Sequence, residues 1–249
     1  MRGRTAIVTG ASSGIGAACS RHLVSAGAHV IGVARRGDRL ESMALDLAGS
    51  EGVFSPLPLD ITCDRATEKT IEFARVVASS DPDIFVVNAG RGLPGTLLSS
   101  DETLWAEALQ LNCTSVLRQM RAAAMHMRAM GSTRVRDIVV MGSVVGRYLS
   151  PTNPVYGACK FAVHSAAEAL RQEVAKDRIR VMLIEPGFVR TDFQLTAKYD
   201  MRNFDAQEAE SGPYLEARDI ATLVTLALSQ PEHVSISNLV VRPTRQRAP

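Results

Sequence analysis

Aromatic residues are scarce in this chain of 249 residues, where they make up 5% and include a single tryptophan. Charge of one sign is lacking as well, because 28 basic residues oppose 26 acidic ones and the formal net charge is +2. Since the basic residues are scattered along the chain, we expect no nucleic-acid partner. No apolar run approaches the roughly 18 to 20 residues needed to cross a bilayer, so we expect no membrane partner and no signal peptide.

Cysteine is rare too. The four cysteines lie far apart in the sequence, without CxxC or metal-type spacing: Cys19, Cys63, Cys113 and Cys159. This pattern is typical of free thiols in a reducing compartment, so we expect a cytoplasmic protein whose cysteines are mostly buried. The five histidines show no paired ligand spacing such as HExxH. The sequence therefore predicts no metal site.

Hydrophobic residues, in contrast, make up 46% of the chain, enough to bury a full core in one domain of this length. Strand-like and helix-like segments alternate throughout, which predicts an α/β fold whose parallel sheet is covered by helices on both faces. The predicted helices cover residues 14–26, 39–47, 64–78, 102–130, 155–175 and 216–228. We therefore predict a single doubly wound domain over residues 1–249, with about seven strands in the order 3-2-1-4-5-6-7.

Two segments need a separate explanation. Pro56 and Pro58 fall inside the third predicted strand, where each removes a hydrogen-bond donor, and this is tolerated at the edge of a sheet. The predicted strand order places the third strand at such an edge.

From Phe188 to about Tyr214 the chain is polar, and we predict an irregular segment there that serves as a substrate lid.

A glycine-rich turn lies between the first predicted strand and the first helix. Glycines at positions 10, 14 and 16 allow backbone amides and the helix N-terminus to approach a pyrophosphate. The predicted cofactor-binding residues here are Gly10, Ser12, Ser13, Gly14, Ile15 and Gly16. The alternative is a plain flexible turn.

The end of the second strand indicates which dinucleotide this turn binds. An acidic residue there would bind the ribose 2′-hydroxyl of NAD, but the chain reads Val-Ala-Arg-Arg, ending in Arg35 and Arg36. A guanidinium forms paired, charge-assisted bonds with a phosphate, so we predict NADP(H). The alternative is that both arginines are solvated surface charges. Asp60, followed by Ile61, ends the third strand, where its carboxylate is expected to accept a hydrogen bond from the adenine amine.

A candidate catalytic pair follows in the second half of the chain. Tyr156 and Lys160 are four residues apart on a predicted helix, so their side chains share one face. A nearby cation favours the phenolate and brings tyrosine closer to acid/base work. Ser143 and Asn88 follow predicted strands, at the sheet edge where open α/β sheets bind ligands, and Asn112 lies within the long helix.

These motifs resemble the short-chain dehydrogenase/reductase family over nearly the whole chain. The segments TGASSGIG, LDIT, NAG, the helical asparagine, the serine, YGACK and EPGFVRT follow in the family's order and spacing. The resemblance implies a Rossmann-like fold and hydride transfer between NADP(H) and a small alcohol or carbonyl substrate. It implies Tyr156 as general acid/base, Ser143 as the ligand of the substrate oxygen, and Lys160 as the residue that binds the ribose and lowers the tyrosine pKa.

The resemblance also implies roles for residues around this pair. Asn112 is expected to hold a water in a proton relay. The residues expected to contact the cofactor near its nicotinamide are Asn88, Ala89, Gly90, Pro186, Gly187, Val189 and Thr191. Some NADP-using relatives carry a basic residue within the glycine turn, where this chain has two serines, so the NADP(H) prediction depends on Arg35 and Arg36. The C-terminal NLVVRPT resembles a branch with small hydroxy-acid, sulfonate-aldehyde and clavulanate-type dehydrogenases.

The substrate and the assembly are less constrained. One hypothesis is that Arg91 or Arg190 binds an anionic group of the substrate, such as a carboxylate. Alternative functions are a 3-oxoacyl-carrier-protein reductase and a non-catalytic NADP-sensing protein. Methionines on the long helix indicate core or interface packing, and relatives bury this helix and the catalytic one between subunits. We therefore expect a homotetramer or a homodimer.

Overall fold

The computed structural model describes residues 1–131 and 133–247. Within these ranges the strands are β1 (Thr5–Thr9), β2 (His29–Ala34), β3 (Val53–Pro58), β4 (Ile84–Val87), β5 (Arg136–Met141), β6 (Ile179–Pro186), β7 (Val189–Arg190), β8 (Leu215–Glu216) and β9 (Asn238–Val241). The helices are α1 (Gly14–Ser25), α2 (Gly37–Asp46), α3 (Ala66–Ala78), α4 (Trp105–Leu109), α5 (Ser115–Ala129), α6 (Pro154–Val174), α7 (Asp192–Thr196), α8 (Met201–Ser211) and α9 (Ala217–Leu228).

Seven of the strands form one parallel sheet in the order β3-β2-β1-β4-β5-β6-β9. This confirms the predicted doubly wound topology. The side chains of β1 alternate between two cores, because successive residues of a strand point to opposite faces. Ala6 and Val8 pack with α1, α2 and α9 on one face, whereas Ile7 packs with α3, α5 and α6 on the other.

The proline-containing strand lies where it was predicted. In the sheet, β3 pairs with β2 alone and forms one edge, with Gly32 opposite Pro56 and Ala34 opposite Pro58. The missing donors of the two prolines therefore cost less than they would in a central strand.

The long helix predicted over residues 102–130 is interrupted. It consists of a 3₁₀ turn (Glu102–Leu104), α4, a π-helical turn (Gln110–Thr114) and α5. Asn112 lies within the π-helical turn, and its Nδ2 donates to the carbonyl of Ala108 at 3.0 Å. A side chain that bonds into the helical ladder is a recognised cause of such a turn, and these turns are frequent at functional sites.

The prediction that residues 188–214 are irregular is wrong. The segment contains β7, α7 and α8, and β8 pairs with β7 just after it. Thr191 begins α7 with a capping box, in which its hydroxyl accepts from the Phe193 amide and the Gln194 side chain reaches back. Asp200 caps α8 through the amides of Arg202 and Asn203. These N-cap residues were the available sequence signal for two short helices.

A buried ion cluster ties the strands together at the amino end of the sheet, opposite the site described below. Asp137 accepts from Arg4 Nη1 at 2.7 Å and from Arg180 Nε at 2.6 Å. Asp83 accepts from Arg4 Nε at 3.1 Å. Both carboxylates are fully buried, and the cluster joins β1, β5 and β6 with the residue that precedes β4.

Candidate active site

A cleft of about 1240 Å³ opens at the carboxyl ends of the strands of the large sheet. It is the place where open α/β sheets bind ligands. Most of the predicted site residues line it: Gly10, Ser12, Ser13, Gly14, Ile15, Arg35, Arg36, Asp60, Ile61, Asn88, Ala89, Gly90, Ser143, Tyr156, Lys160, Pro186, Gly187, Val189 and Thr191. The remaining two, Gly16 and Asn112, lie just behind this lining, as described below. The structure thus brings the two groups of predicted residues, the cofactor end and the catalytic end, into one cleft.

The glycine turn has the shape that a pyrophosphate requires. Gly10 and Gly14 have φ angles of 70° and 53°, which glycine adopts without steric cost. A Cβ on Gly16 would lie 2.3 Å from the carbonyl oxygen of Gly10, so this position also needs glycine. The N-terminus of α1 consequently lies against the turn, and its amides form an anion-binding end. These residues fit the phosphates of a dinucleotide.

Arg36 is held against this same turn. Its Nη2 donates to Ser13 Oγ at 2.6 Å and to Ser12 Oγ at 3.0 Å, and its Nε donates to Ser12 Oγ at 3.1 Å. Burial is the largest influence on the Arg36 pKa and lowers it. Ser12 and Ser13 are thus part of the same polar group as Arg36.

Arg35 has a different environment. Its side chain is 67% exposed and its Nη1 lies 4.0 Å from Asp60 Oδ2. The other oxygen of Asp60 accepts from the amide and the hydroxyl of Thr62, at 2.9 and 2.7 Å. Burial opposes ionisation of Asp60, but the bonds from Thr62 outweigh it and lower the pKa. Asp60 is therefore an ionised, oriented acceptor at the cofactor end of the cleft.

Tyr156, Lys160 and Ser143 meet at the other end. Tyr156 and Lys160 are both buried on α6, and Lys160 Nζ lies 5.4 Å from the centroid of the tyrosine ring. The ammonium donates to the carbonyl of Met141 at 2.7 Å. Ser143 follows β5, and its side chain is close enough to Tyr156 to lower the tyrosine pKa. The three side chains therefore form one contiguous group, as the sequence predicted.

Burial is the main influence on the protonation of this group. Burial raises the pKa of Tyr156, and the side chain of Ser143 lowers it only in part. Burial also lowers the pKa of Lys160, to about 8. In this structure burial outweighs the groups that lower the Tyr156 pKa. Tyr156 is a neutral phenol at neutral pH.

Asn112 supports the loop that follows β4. Its Oδ1 accepts from the Arg91 amide at 2.9 Å, and its Nδ2 donates to the Arg91 carbonyl at 2.8 Å. A Cβ on Gly90 would lie 2.9 Å from Asn112 Oδ1, so the close approach depends on glycine. Asn88, at the end of β4, donates to the Thr9 carbonyl at 2.9 Å. These bonds hold the exits of β1 and β4 at the floor of the cleft.

A polar chain behind Ser143 was missed by the sequence analysis. The amide of Ser143 donates to His164 Nε2 at 3.3 Å, and His164 Nδ1 lies 3.7 Å from the buried carboxylate of Glu185. Arg147 donates to both oxygens of Glu185, at 2.7 and 2.6 Å. Burial lowers the pKa of His164 to about 4. A neutral imidazole therefore accepts from the Ser143 amide, and no local sequence signal pairs these distant residues.

The hypothesis of an anion-binding arginine is not supported. Arg190 does not line the cleft, because its guanidinium pairs with Asp205 at 2.7 Å and also with Glu208. Arg91 lines the cleft, but its Nη1 lies 3.1 Å from Glu107. Uncharged residues of the predicted lid segment line the cleft, namely Phe193, Gln194, Tyr199, Asn203 and Gln207, together with two residues that the sequence did not indicate, Thr152 and Asn153.

Three general expectations can be compared with the described residues. Cys19 and Cys159 are buried, whereas Cys113 is partly exposed and Cys63 is exposed, so the prediction of mostly buried thiols holds for only two of four. Residues 1–131 and 133–247 contain no group of three or more histidine, cysteine or acidic side chains that could hold a metal. In the same ranges, every helix is too short or too polar to cross a membrane.

Comparisons with known proteins agree with this geometry. A family model described as short chain dehydrogenase matches residues 4–201. Dehydrogenase/reductase SDR family member 11 of Bos taurus is 36% identical over 260 residues, which cover 98% of this chain and 98% of that protein.

Solved structures agree as well. An alcohol dehydrogenase from the archaeon Thermococcus sibiricus, complexed with 5-hydroxy-NADP, has a TM-score of 0.82 at 27% identity and 99% coverage of both chains. The closed form of a serine dehydrogenase complexed with NADP⁺ has a TM-score of 0.84 at 27% identity, over 98% of this chain and 96% of that one. This chain therefore belongs to the short-chain dehydrogenase/reductase family and is an oxidoreductase that acts on CH–OH or C=O groups.

Proposed function

We propose that this protein is an NADP(H)-dependent oxidoreductase that interconverts a small, uncharged alcohol and its carbonyl compound. The observation that carries the proposal is the group formed by Tyr156, Ser143 and Lys160 in the same cleft as the glycine turn. A bound nicotinamide supplies or accepts the hydride. Both structural neighbours described above bind NADP or a derivative, which supports the cofactor class.

The preference for NADP(H) rests on Arg36. A 2′-phosphate on the adenosine ribose would meet a guanidinium that Ser12 and Ser13 already orient. Because those partners are neutral hydroxyls, the positive charge of Arg36 stays available for a phosphate. Asp60, Ile61 and Arg35 line the adjoining part of the cleft, where the adenine would lie.

The proton chemistry follows from Tyr156. Its hydroxyl and that of Ser143 hold the substrate oxygen between them, and Tyr156 donates its proton when a carbonyl is reduced. Because burial raises the tyrosine pKa, the phenol is in the form that reduction requires. Lys160, whose pKa is lowered to about 8, binds the ribose and can return a proton to the phenol. The role that we propose for Asn112 is to hold a water molecule behind Lys160.

An uncharged substrate is favoured by the lining near Tyr156. The cations at the cleft are Arg35 and Arg36 at the cofactor end, Arg91 in its pair with Glu107, and Lys160 on the Met141 carbonyl. Among the described residues, Lys160 is then the one cation beside Tyr156 without a carboxylate partner, and the proposal assigns it to the ribose rather than to a substrate carboxylate or sulfonate. A hydroxy acid is therefore the less favoured substrate, although it was a hypothesis from the sequence.

The remaining parts of the proposal concern the lid, the assembly and the location. We propose that the segment 188–214 covers the substrate, since Phe193, Tyr199 and Asn203 line the cleft from it.

Exposed apolar side chains occur on α4, α5 and α6: Leu109, Leu117, Met125 and Phe161. These faces support a homotetramer or a homodimer, which the mass of the protein in solution tests. We propose a cytoplasmic location.

An activity screen tests the function directly. The purified protein is offered NADP⁺ with small alcohols, and NADPH with the matching ketones, aldehydes and acetoacetyl thioesters. We expect turnover of uncharged small carbonyl compounds. A clear preference for the thioesters would instead identify a 3-oxoacyl-carrier-protein reductase, and NADPH binding without any turnover would identify a sensor.

A further inference from the structure

Asn153 is in an unusual situation at the substrate end of the cleft. It directly precedes α6, where an asparagine side chain ordinarily caps the helix by accepting from its first amides. Here the side chain makes no cap bond, although it lines the cleft. Its Oδ1 is buried and accepts no hydrogen bond. A buried acceptor without a donor is costly, so this oxygen is an acceptor that lacks a donor, three residues before Tyr156.

Tyr199 completes the position from the opposite side. Its hydroxyl lies close to Asn153, whose side chain lowers the tyrosine pKa against the larger, opposing influence of burial. Asn153 Oδ1 has no hydrogen-bond partner, so it does not accept the phenolic proton of Tyr199. The phenolic proton of Tyr199 is then free to point into the cleft. Tyr199 is also close enough to Tyr156 to raise its pKa electrostatically.

Phe193 and the backbone at Gly92 hold this tyrosine in place. A Cβ on Gly92 would lie 2.6 Å from Tyr199 Cε2 and 2.9 Å from Phe193 Cε1. The Phe193 ring in turn meets the Tyr156 ring edge to face, with centroids 5.8 Å apart. The second hydroxyl is therefore fixed relative to the proposed proton donor by direct packing.

We propose that Asn153 Oδ1 and the Tyr199 hydroxyl form a subsite for a second hydroxyl group of the substrate, next to the reacting carbon. The pair offers one acceptor and one donor, which is the complement of an alcohol group. The substrate class is thus an uncharged vicinal diol and its α-hydroxy carbonyl counterpart. This inference rests on the oxidoreductase function proposed above.

Other substrate groups fit the subsite less well. A carboxylate is acceptor-only, so it would leave Asn153 Oδ1 without a donor. A substrate ammonium would need a carboxylate, but Asp200 already accepts from the amides of α8 and Glu107 pairs with Arg91. A simple monohydric alcohol or its ketone would leave both subsite groups unpaired, which costs binding in the transition state.

The test compares 3-hydroxy-2-butanone with 2-butanone, which differ only in the second hydroxyl, using NADPH and the full chain. We expect the wild-type protein to prefer the hydroxy ketone in kcat/KM by about tenfold or more. Asn153→Ala should reduce this ratio to near one, and Tyr199→Phe, which keeps the ring packing, should reduce it in part. Asn238→Ala, an exposed change at the amino end of β9, is the matched control and should keep the wild-type ratio.

The outcomes separate this inference from the proposed function. If neither ketone nor any other small carbonyl is reduced, the oxidoreductase proposal fails. If both are reduced equally by the wild type, or if Asn153→Ala lowers both equally and keeps the ratio, the subsite is refuted. Should Asn153→Ala not fold, wild-type inhibition decides: 2,3-butanediol should compete with substrate more strongly than 2-butanol does, and equal inhibition would overturn the subsite.

Discussion

Replacing Arg36 by alanine should convert the protein from an NADPH-preferring enzyme to one that uses both dinucleotides about equally. The guanidinium is oriented by three hydrogen bonds that it donates to the hydroxyls of Ser12 and Ser13. A ligand phosphate would find this group already fixed next to the glycine turn. The change therefore removes a pre-ordered, charge-assisted contact that NADPH can make and NADH cannot.

The magnitude follows from this contact. A hydrogen bond to a charged group contributes about 1.5–3 kcal/mol. One well-made guanidinium–phosphate contact of about 3 kcal/mol corresponds to roughly a hundredfold in kcat/KM. Arg35 should contribute much less, because it is 67% exposed and its Nη1 lies 4.0 Å from Asp60. Screening by salt reduces such an exposed contribution further.

The assay is the kcat/KM for NADPH and for NADH with one saturating carbonyl substrate, measured for the wild type, Arg36→Ala and Arg35→Ala. We expect Arg36→Ala to lose about a hundredfold with NADPH and to change little with NADH. Arg35→Ala is the matched control, and it should lose only a few-fold. A larger loss in Arg35→Ala, or equal losses with both dinucleotides in Arg36→Ala, would refute the assignment of Arg36 to the 2′-phosphate.

Three further predictions concern stability, pH and the lid. Asp137→Asn leaves Arg4 and Arg180 without their shared buried carboxylate, so it should lower the free energy of unfolding, measured in urea, by about 3–5 kcal/mol. The control Glu168→Gln, in an exposed ion pair, should change that free energy little. Equal effects of the two substitutions would contradict the account. The His164 pKa in the folded protein is about 4, below its unfolded value of 6.5, so the unfolded chain takes up this proton first as the pH falls. Between pH 7.5 and pH 5 the wild type should therefore lose about 2 kcal/mol of unfolding free energy relative to His164→Asn. A constant difference between the two proteins over that range would show that His164 is not buried as a neutral acceptor. Gly92→Ala should displace Tyr199 and Phe193. It should raise KM for the carbonyl substrate by about fivefold to tenfold, which corresponds to about 1 kcal/mol of binding free energy. An unchanged KM would mean that the lid does not pack against this glycine during turnover.

The sequence was most informative where a function is carried by residues close together in the chain. The glycine turn and the pair Tyr156 and Lys160 are local patterns, and the structure brings both to one cleft. The edge position of β3 also followed from the sequence, because the cost of proline in a sheet depends on position. Strand order followed from the alternation of strands and helices.

The environment of charged groups could not be predicted in this way. One hypothesis assigned Arg91 or Arg190 to a substrate anion, but each meets a carboxylate from another segment, Glu107 and Glu208 respectively. The partnership of Arg36 with Ser12 depends on residues 24 positions apart. The direction of the Tyr156 pKa depends on burial under Phe193 and Tyr199. Such contacts exist only once the chain has folded, and no local pattern encodes them.

The central claim is that Tyr156 transfers the proton in hydride chemistry, and Tyr156→Phe tests it most directly. The exchange keeps the ring that packs against Phe193 and removes only the hydroxyl. We predict that kcat falls by about a hundredfold to ten-thousandfold, while NADPH, followed by fluorescence titration, still binds with an affinity close to that of the wild type. A Tyr156→Phe protein that reduces its substrate at the wild-type rate would contradict the account.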